Sequence, residues 1–474
     1  MPPELDLFSV SRGAVTAPAG CGKTQLIADT LKLHTDTKPI LVLTHTNAGK
    51  GALLARLTKA AVPKQAYRVH TIDSWAIQLI SKFPSRGGNH PQILKLENPN
   101  NDYPAIREAA RNLLKQGAIT EALRATYDRL IVDEYQDCTI AQHNIIGWAS
   151  TALSTCVLGD PLQAIFDFKE RTVDWDAQVL KRFPEIGKLQ TPWRWRKANA
   201  ESLGQWLLNI RADLFAGIPI DLRRAPAEVT WEKLAENPNI AHTQRLAAIK
   251  TWMSAKDGTT LVIGDSMNPK GQQLIACNTP GVTTVEAVDH RDLTQFGSNF
   301  DVTSPSALED LISFATTLMT NLNASDLRKR VASLSTGKAH KEATAVEAVA
   351  LAFQIEPTMK NALDVLQTFS TAPKVRVYRP EVLQVCKSAM QISANGEHSF
   401  YDAVVRAREL NRHRGRSMAR RTVGSTLLLK GLEADIAIVL NPTGMNARHL
   451  YVALTRGAKR LVVCSPTALL TPRS

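Results

Sequence analysis

Short apolar runs recur along the first third of the chain and alternate with stretches that have the apolar spacing of helices. Four of these runs end where polar residues begin: Gly13–Thr16, Ile40–Thr44, Leu130–Val132 and Cys156–Leu158. Such alternation is typical of a parallel α/β sheet, whose ligands bind at the carboxyl ends of the strands. We therefore predict a parallel sheet in this region.

A second set of strand candidates lies later in the chain, at Thr260–Ile263, Ala437–Leu440 and Leu461–Cys464. A long helix-rich stretch, from about Pro305 to Ala419, separates the first of these from the other two. In the first third, a segment punctuated by Pro, Gly and Asn leads into a helix-like run from Tyr103 to Tyr127. The pattern predicts two α/β domains, each interrupted by an insertion.

Length and composition fit this organisation. The chain has 474 residues, more than one hydrophobic core usually serves, and 44% hydrophobic with 21% charged residues is typical of a soluble globular protein. No apolar run approaches the roughly 20 residues needed to cross a bilayer, and the first residues lack a basic-then-apolar signal pattern. We expect a cytoplasmic protein without a membrane partner.

The charge balance is basic. Lysine and arginine number 57 against 44 acidic residues, which leaves a net charge of +13. This excess suits a polyanion such as nucleic acid, although many basic proteins bind none. The six cysteines are scattered without a C-x-x-C pair, which argues against a cysteine metal site or a disulfide framework.

A glycine-rich segment, Ala17-Pro-Ala-Gly-Cys-Gly-Lys-Thr24, follows the first strand candidate and precedes a helix-like run that starts at Gln25. This is the context of a phosphate-binding loop, because glycines let backbone N–H groups turn toward phosphates and the helix N-terminus adds positive potential. Lys23 is predicted to reach the β- and γ-phosphates, and the Thr24 hydroxyl to bind Mg²⁺. The alternative is a plain glycine-rich turn before a helix.

An acidic pair, Asp133-Glu134, comes directly after the third strand candidate. One carboxylate of such a pair can hold Mg²⁺ while its neighbour orients and deprotonates the attacking water. A solvated acidic loop is the alternative, and the upstream phosphate loop argues against it. The sequence therefore predicts binding and hydrolysis of ATP with Mg²⁺.

The acidic pair belongs to a longer block, Asp133-Glu-Tyr-Gln-Asp137, which resembles the D-E-x-Q-D box of superfamily 1A helicases, the UvrD/Rep/PcrA group. Six more blocks resemble that family in the same order: Thr44–Ala48, His70–Asp73, Gly159–Phe166, Pro192–Arg194, Lys430–Glu433 and Tyr451–Arg456. The resemblance spans nearly the whole chain.

This resemblance implies two RecA-like domains, each with a short, mainly helical insertion. Domain 1A is expected over residues 1–75 and 129–190, with insertion 1B over 76–128. Domain 2A is expected over residues 191–304 and 420–474, with a reduced insertion 2B over 305–419.

The resemblance also implies roles at the nucleotide. The expected catalytic residues are Lys23, Glu134, Gln163, Arg194 and Arg456, with Gln163 sensing the γ-phosphate and the two arginines acting as fingers from the second α/β domain. Thr24 and Asp133 are the expected Mg²⁺ ligands. The expected nucleotide-binding residues are Ala19, Gly20, Cys21, Gly22, Lys23, Thr24, Gln25, Trp193, Arg194, Glu433 and Arg456. Among them, Trp193 is expected to stack on adenine and Glu433 to contact the ribose.

Single-stranded DNA is expected, on the same resemblance, to contact His45, Asn47, Thr71, Phe168 and Ser425. Phe168 falls where the family has a base-stacking tryptophan, and His45 where it has phenylalanine. Stacking of a base on an aromatic ring contributes about 1–3 kcal/mol and tolerates any sequence, as a translocase requires. A core-facing Phe168 is the alternative.

Three features depart from the family pattern. The twelve residues before Gly13 contain no glutamine, so the family's adenine-reading glutamine motif has no counterpart. Leu427 replaces a histidine of the family's DNA-contact block. Both insertions are much shorter than in full-length repair helicases, where they contact duplex DNA.

Seven arginines crowd into sixteen residues near the late blocks: Arg406, Arg408, Arg412, Arg414, Arg416, Arg420 and Arg421. Such density suits phosphate contacts and salt-dependent binding. A solvated helix face is the common alternative for a run of charge. The neighbouring Ser425–Glu433 block favours a nucleic-acid or partner surface.

These observations predict an ATP-dependent translocase or helicase on single-stranded or tailed duplex DNA, moving 3′→5′ and hydrolysing ATP at the interface of two RecA-like domains. The alternative is a DNA-stimulated regulatory ATPase. Compact proteins of this kind resemble the helicase subunit of Gabija-type anti-phage systems, which accompanies an OLD-family endonuclease.

Overall fold

The computed structural model describes residues 5–87, 91–166, 170–253, 258–412 and 419–473. Its strands are β1 (Arg12–Thr16), β2 (Ile40–Thr44), β3 (Tyr67–Thr71), β4 (Arg129–Val132), β5 (Ser154–Gly159), β6 (Glu185–Lys188), β7 (Ile220–Asp221), β8 (Val229–Lys233), β9 (Thr260–Gly264), β10 (Thr283–Thr284), β11 (Met319–Thr320), β12 (Arg376–Val377), β13 (Arg421–Ser425), β14 (Ala434–Val439), β15 (Gly457–Ser465) and β16 (Leu469–Leu470). All seven predicted strands are present.

The helices of the first half are α1 (Lys23–Leu33), α2 (Asn47–Lys59), α3 (Ile72–Lys82), α4 (Pro84–Gly87), α5 (Pro99–Lys115), α6 (Thr120–Thr126), α7 (Ile140–Ala149), α8 (Leu180–Arg182), α9 (Trp193–Lys197) and α10 (Glu201–Phe215). Those of the second half are α11 (Pro238–Met253), α12 (Pro269–Asn278), α13 (Arg291–Asn299), α14 (Ala307–Thr316), α15 (Ala324–Ser335), α16 (Ala345–Ile355), α17 (Met359–Thr371), α18 (Pro380–Ala394), α19 (Phe400–Arg412), α20 (Thr426–Leu429) and α21 (Ala447–Leu454).

The first sheet has the strand order β3-β2-β4-β5-β1-β6, and all its pairings are parallel. All five residues of β2 are buried, because a central strand of such a sheet is covered on both faces. The carboxyl ends of β1, β2, β4 and β5 therefore meet at one edge. Each of the four is followed there by a polar segment, as the sequence predicted.

The second sheet has the order β10-β13-β9-β14-β15-β8. Strand β9 pairs in parallel with both β13 and β14, and β10 pairs in parallel with β13. Two six-stranded sheets with helices between their strands make an α/β fold of two RecA-like domains, so the predicted fold class is confirmed.

By packing, the chain divides into two compact units. The first comprises the described residues of Met1–Trp231 and Pro442–Ser474, and the second those of Glu232–Asn441. In the second unit, α13 to α19 enclose an apolar cluster that includes Leu311, Phe353 and Phe369, which is the helix-rich stretch predicted from the sequence. The boundaries given above for domains 1A, 1B, 2A and 2B stay a prediction.

The helix-like run predicted from Tyr103 to Tyr127 is two helices, α5 and α6. Gly117 separates them with φ of 70°, a left-handed conformation that ends a helix and that glycine adopts without steric cost. Apolar spacing alone did not mark this break. Among the described residues, none of the helices has the length and apolar character needed to cross a membrane.

Candidate nucleotide site

The phosphate loop joins β1 to α1. Gly20 and Gly22 have φ of 70° and 90°, which only glycine adopts readily. Space also requires them, because a Cβ on Gly20 would lie 2.4 Å from the Trp195 ring and one on Gly22 would lie 3.0 Å from Trp193. The two glycines thus allow the loop to turn closely against α9.

Helix α9 fixes this loop through its backbone and side chains. The Arg194 N–H donates to the Gly20 carbonyl at 3.0 Å. The buried Trp195 donates through Nε1 to the Gly457 carbonyl at 2.9 Å. Trp195 therefore packs against the phosphate loop at Gly20 and is hydrogen-bonded to the first residue of β15, within the first unit.

Lys23 contacts both members of the acidic pair. Its Nζ forms an ion pair with Oδ1 of Asp133 and lies 2.6 Å from Oε1 of Glu134. Burial alone lowers the pKa of Lys23, but attraction to the two carboxylates outweighs it and the net shift is upward. Burial, together with repulsion from Glu134, raises the pKa of Asp133 despite the attraction to Lys23. The lysine stays protonated and screens the two acids from each other.

Glu134 has an unusual backbone. Its φ of 54° is in the left-handed region, which costs free energy for a residue with a Cβ. Two hydrogen bonds hold this conformation: the Glu134 N–H donates to Asp133 Oδ1 at 2.9 Å, and Gln136 Nε2 donates to Glu134 Oε2 at 2.6 Å. A strained residue at the end of a central strand is typical of a functional site.

Gln163 and Arg456 meet in the interior of the first unit. Arg456 is 2% exposed, and its Nη2 lies 3.4 Å from Gln163 Oε1. Arg194 donates through Nη1 to the Thr455 carbonyl at 2.6 Å, next to Arg456 in the chain. Both predicted arginine fingers therefore lie in the same compact unit as the phosphate loop.

Asp160 is part of this arrangement and was not among the predicted site residues, although it follows Gly159 in a recognised block. Its side chain is fully buried and receives the Ala19 N–H of the phosphate loop at 3.1 Å. Arg211 of α10 makes a two-pronged ion pair with it, at 2.8 and 3.0 Å. No motif marks Arg211, so sequence alone could not indicate it.

The predicted Mg²⁺ ligands are hard oxygen donors near the loop. Thr24 lies in the first turn of α1, and Asp133 is the first residue after β4. Within the described ranges, no cluster of three or more His, Cys, Asp or Glu side chains is arranged to hold a metal. Magnesium at nucleotide sites is bound by one or two protein oxygens together with substrate phosphates, so Thr24 and Asp133 fit that role.

Three further residues were predicted to contact the nucleotide: Trp193, Gln25 and Glu433. Trp193 begins α9, with the Arg196 guanidinium 5.7 Å from its ring centre. Gln25 donates to Asp29 and accepts from Arg56, so both ends of its amide have protein partners. Glu433 belongs to the second unit.

Among the predicted DNA-contact residues, His45, Asn47 and Thr71 lie at the carboxyl edge of β2 and β3. His45 Nδ1 lies 3.2 Å from Gln142 Oε1, Asn47 begins α2, and Thr71 caps α3 by accepting the Ser74 N–H at 3.1 Å. Ser425 caps α20 in the second unit. Phe168 lies outside the described residues.

The seven-arginine run is described only in part. Arg406 lies 2.6 Å from His398, and Arg408 is paired with Glu409. Arg420 donates to the Gly258 carbonyl at 3.1 Å. The side chains of Arg412, Arg414 and Arg416 lie outside the described residues, so the predicted surface stays a prediction.

A comparison with protein families matches residues 92–184 to the UvrD/REP helicase N-terminal domain. The matched region contains Asp133, Glu134, Asp160 and Gln163, and the match supports a helicase of superfamily 1. No curated protein matches the chain.

Among solved structures, the chain is similar to an arterivirus helicase, nonstructural protein 10, in complex with DNA. The TM-score is 0.36 at 9% identity, over 97% of this chain and 65% of that one. The chain thus spans about two thirds of the viral chain.

Proposed function

We propose that this protein is an ATP-dependent translocase or helicase that moves 3′→5′ on single-stranded DNA. The observation that supports it most is the contact of Lys23 with Asp133 and Glu134 at the base of a phosphate loop. A lysine, a carboxylate pair and a glycine-rich loop at the ends of parallel strands are the parts that ATP hydrolysis needs.

Lys23 has two alternative sets of partners in this proposal. Without nucleotide it neutralises the two carboxylates, and with ATP bound it turns to the β- and γ-phosphates. Glu134 then loses its contact with Lys23 and is proposed to orient the attacking water and accept its proton. Thr24 and Asp133 would hold a Mg²⁺ ion, which would neutralise charge at the phosphates.

Arg456 and Arg194 are proposed to neutralise the charge that spreads over the phosphoryl group as it is transferred. A guanidinium suits this role, because its planar N–H groups match the phosphoryl oxygens. Gln163 lies 3.4 Å from Arg456 and is proposed to report the presence of the γ-phosphate to it.

The residues proposed to contact DNA are His45, Asn47 and Thr71 in the first unit, Ser425 in the second, and Phe168. A hydrogen-bonded chain starts at Thr139, two residues after the acidic block: the Thr139 N–H donates to Gln142 Oε1, which lies 3.2 Å from His45 Nδ1. Gln142 Nε2 also donates to Asp73 Oδ1 at 3.2 Å, next to the α3 cap. This chain offers a route by which DNA could alter the ATP site.

The alternative proposal is a DNA-stimulated regulatory ATPase that controls a partner nuclease, such as an OLD-family endonuclease in an anti-phage complex, and that unwinds poorly alone. It has the same ATP chemistry and differs only in what the ATP cycle drives. Its support is the family resemblance of the compact sequence.

The deciding experiment measures ATP turnover with and without single-stranded DNA, beside unwinding of duplexes with 3′ or 5′ tails. If the protein is a translocase, single-stranded DNA should strongly stimulate ATP turnover, and the 3′-tailed duplex but not the 5′-tailed one should be unwound. Stimulation without unwinding, together with co-purification of a nuclease, favours the regulatory ATPase. No ATP turnover in any condition rejects both.

A further inference from the structure

The Asp160 carboxylate, at the end of β5, receives five hydrogen bonds. Its Oδ2 accepts the Ala19 N–H at 3.1 Å, Gln163 Nε2 at 3.0 Å and Arg211 Nη1 at 3.0 Å. Its Oδ1 accepts the Leu162 N–H at 3.2 Å and Arg211 Nη2 at 2.8 Å. The acceptor positions of one carboxylate are thereby filled, so each donor's place is fixed by the others.

Two of these donors belong to the proposed ATP machinery. The Ala19 N–H is in the phosphate loop, and it also lies 3.2 Å from the Tyr451 hydroxyl. Gln163 uses its amide nitrogen on Asp160, and this leaves its carbonyl oxygen facing Arg456 at 3.4 Å. The position of Asp160 thus determines where the loop begins and which way the Gln163 amide points.

Arg211 holds Asp160 in that position. Its guanidinium donates hydrogen bonds to both carboxylate oxygens of Asp160 and also stacks on Tyr451, with Cζ 4.8 Å from the ring centre. The Arg211 side chain is 11% exposed. Burial lowers the pKa of Arg211, but attraction to Asp160 and Tyr451 outweighs it and the net shift is upward, so the charge of Arg211 is permanent. Arg211 therefore contacts both groups that accept the Ala19 N–H.

We infer that Arg211 is a positioning residue for ATP hydrolysis, acting through Asp160 and Tyr451 on the phosphate loop and through Asp160 on Gln163. The inference rests on the proposed function, because it assigns Ala19 and Gln163 to an ATP site. The hydrogen bonds of Arg211 go to Asp160 and its ring contact is with Tyr451, so its proposed role is to position other groups and not to act on the nucleotide.

A purely structural ion pair is the competing explanation. Removing one partner of a buried pair leaves an uncompensated charge, which destabilises a protein wherever the pair lies. Loss of stability therefore does not separate the two explanations. The test needs a readout at the loop itself and, as control, a paired arginine of similar burial elsewhere.

Arg129 supplies that control. It pairs with Asp128 at 2.9 Å, donates to the Leu7 carbonyl at 2.8 Å, and its side chain is 13% exposed. It starts β4, whereas the proposed site lies after the end of that strand. Arg129→Met should therefore lower stability without affecting ATP hydrolysis.

The experiment compares Arg211→Met, Arg211→Lys and Arg129→Met by melting temperature, by kcat and KM for ATP, and by amide hydrogen exchange of peptides covering residues 17–24. We expect Arg211→Met to lower kcat at least tenfold with a smaller change in KM, and to speed exchange in residues 17–24. Arg211→Lys should be intermediate, because a lysine keeps the charge but lacks the two-pronged geometry. Arg129→Met should change only the melting temperature.

If Arg211→Met does not fold, the double variant Asp160→Asn/Arg211→Met is measured instead, because it also removes the uncompensated charge of Asp160. In that variant too we expect low kcat and faster exchange. Normal kcat and normal exchange in a folded Arg211 variant would overturn the inference while leaving the proposed function in place. Absence of ATP turnover in the unaltered protein, with faster loop exchange in Arg211→Met, would reject the proposed function but keep the anchoring role.

Discussion

The ammonium of Lys23 lies 2.6 Å from Oε1 of Glu134, although the two residues are 111 positions apart in the chain. The same ammonium pairs with Asp133, so one buried cation balances two neighbouring carboxylates. Phosphates entering the loop must compete with these carboxylates for Lys23. Binding of the triphosphate and release of Glu134 are therefore one event in the proposed mechanism.

Replacing Lys23 should abolish ATP turnover and also destabilise the fold. Lys23→Met removes the phosphate contact and the ammonium that pairs with both Asp133 and Glu134, and breaking a buried ion pair costs about 3–5 kcal/mol. We expect turnover below about 1% of the unaltered protein and a lower melting temperature. Lys32→Met, at an exposed position of the same helix, is the control. Substantial turnover in Lys23→Met would exclude this ATP site.

Glu134→Gln should separate binding from hydrolysis. The amide keeps the size of the side chain and its contact with Lys23 but cannot accept a proton from water. We expect ATP to bind with little change in affinity and turnover to fall at least about 100-fold. Equilibrium binding of a fluorescent ATP analogue and phosphate release measure the two effects. Glu121→Gln, at an exposed glutamate, is the control and should change neither ATP affinity nor turnover. If Glu134→Gln still hydrolyses ATP, Glu134 is not the base.

Arg456→Lys should lower kcat more than it raises KM. The lysine keeps a positive charge but loses the planar N–H groups that contact Gln163 and the Val452 carbonyl. Arginine fingers contribute about 10³–10⁵ in rate, so a loss of at least about 100-fold is expected. Steady-state kinetics of ATP hydrolysis measure the changes in kcat and KM separately. A change confined to KM would assign Arg456 to ground-state binding.

Phe168→Ala should weaken binding of single-stranded DNA while basal ATP hydrolysis stays nearly unchanged. Loss of one stacking platform is expected to cost about 1–3 kcal/mol of binding, a roughly five- to 150-fold rise in Kd. Fluorescence anisotropy with a labelled oligonucleotide measures it at fixed salt. Leu33→Ala, which removes another apolar side chain at an exposed position, is the control. An equal fall in basal hydrolysis would assign Phe168 to the core.

His143 should make stability depend on pH below neutrality. Burial, followed by the charge of Arg182, lowers the pKa of His143 from 6.5 to about 4. Burial also keeps the Tyr135 hydroxyl protonated, and this hydroxyl is hydrogen-bonded to Nδ1 of the neutral imidazole at 2.8 Å. At a pH between these two pKa values, His143 is protonated in the unfolded chain and neutral in the folded one. The free energy of unfolding therefore falls as pH falls from about 6.5 toward 4.

Denaturant unfolding at pH 7.5 and at pH 5 tests this. We expect His143 to account for a loss of about 1–2 kcal/mol between the two conditions. His143→Asn keeps an acceptor for Tyr135 but does not titrate, so its stability should change less with pH. Equal pH dependence in the two proteins would mean that other groups cause the loss.

Local pattern determined much of this protein. The strands preceding the phosphate loop and the acidic pair could be predicted, because short apolar runs in a parallel sheet are buried on both faces and can be recognised one at a time. The loop itself could be predicted because Gly20 and Gly22 are required by backbone conformations that the neighbouring strand and helix impose. The break between α5 and α6 was missed, because a left-handed Gly117 leaves the apolar spacing unchanged.

Tertiary structure alone decided which of these parts meet. Ala19 lies 432 positions from Tyr451, and Arg211 lies 51 from Asp160, yet both pairs are in hydrogen-bond contact. Side chains so far apart in the chain come together only because parallel strands align their carboxyl ends and α10 and α21 pack against that edge. Sequence therefore identified the candidate ATP-binding residues, and the fold revealed the buried carboxylate that orients them.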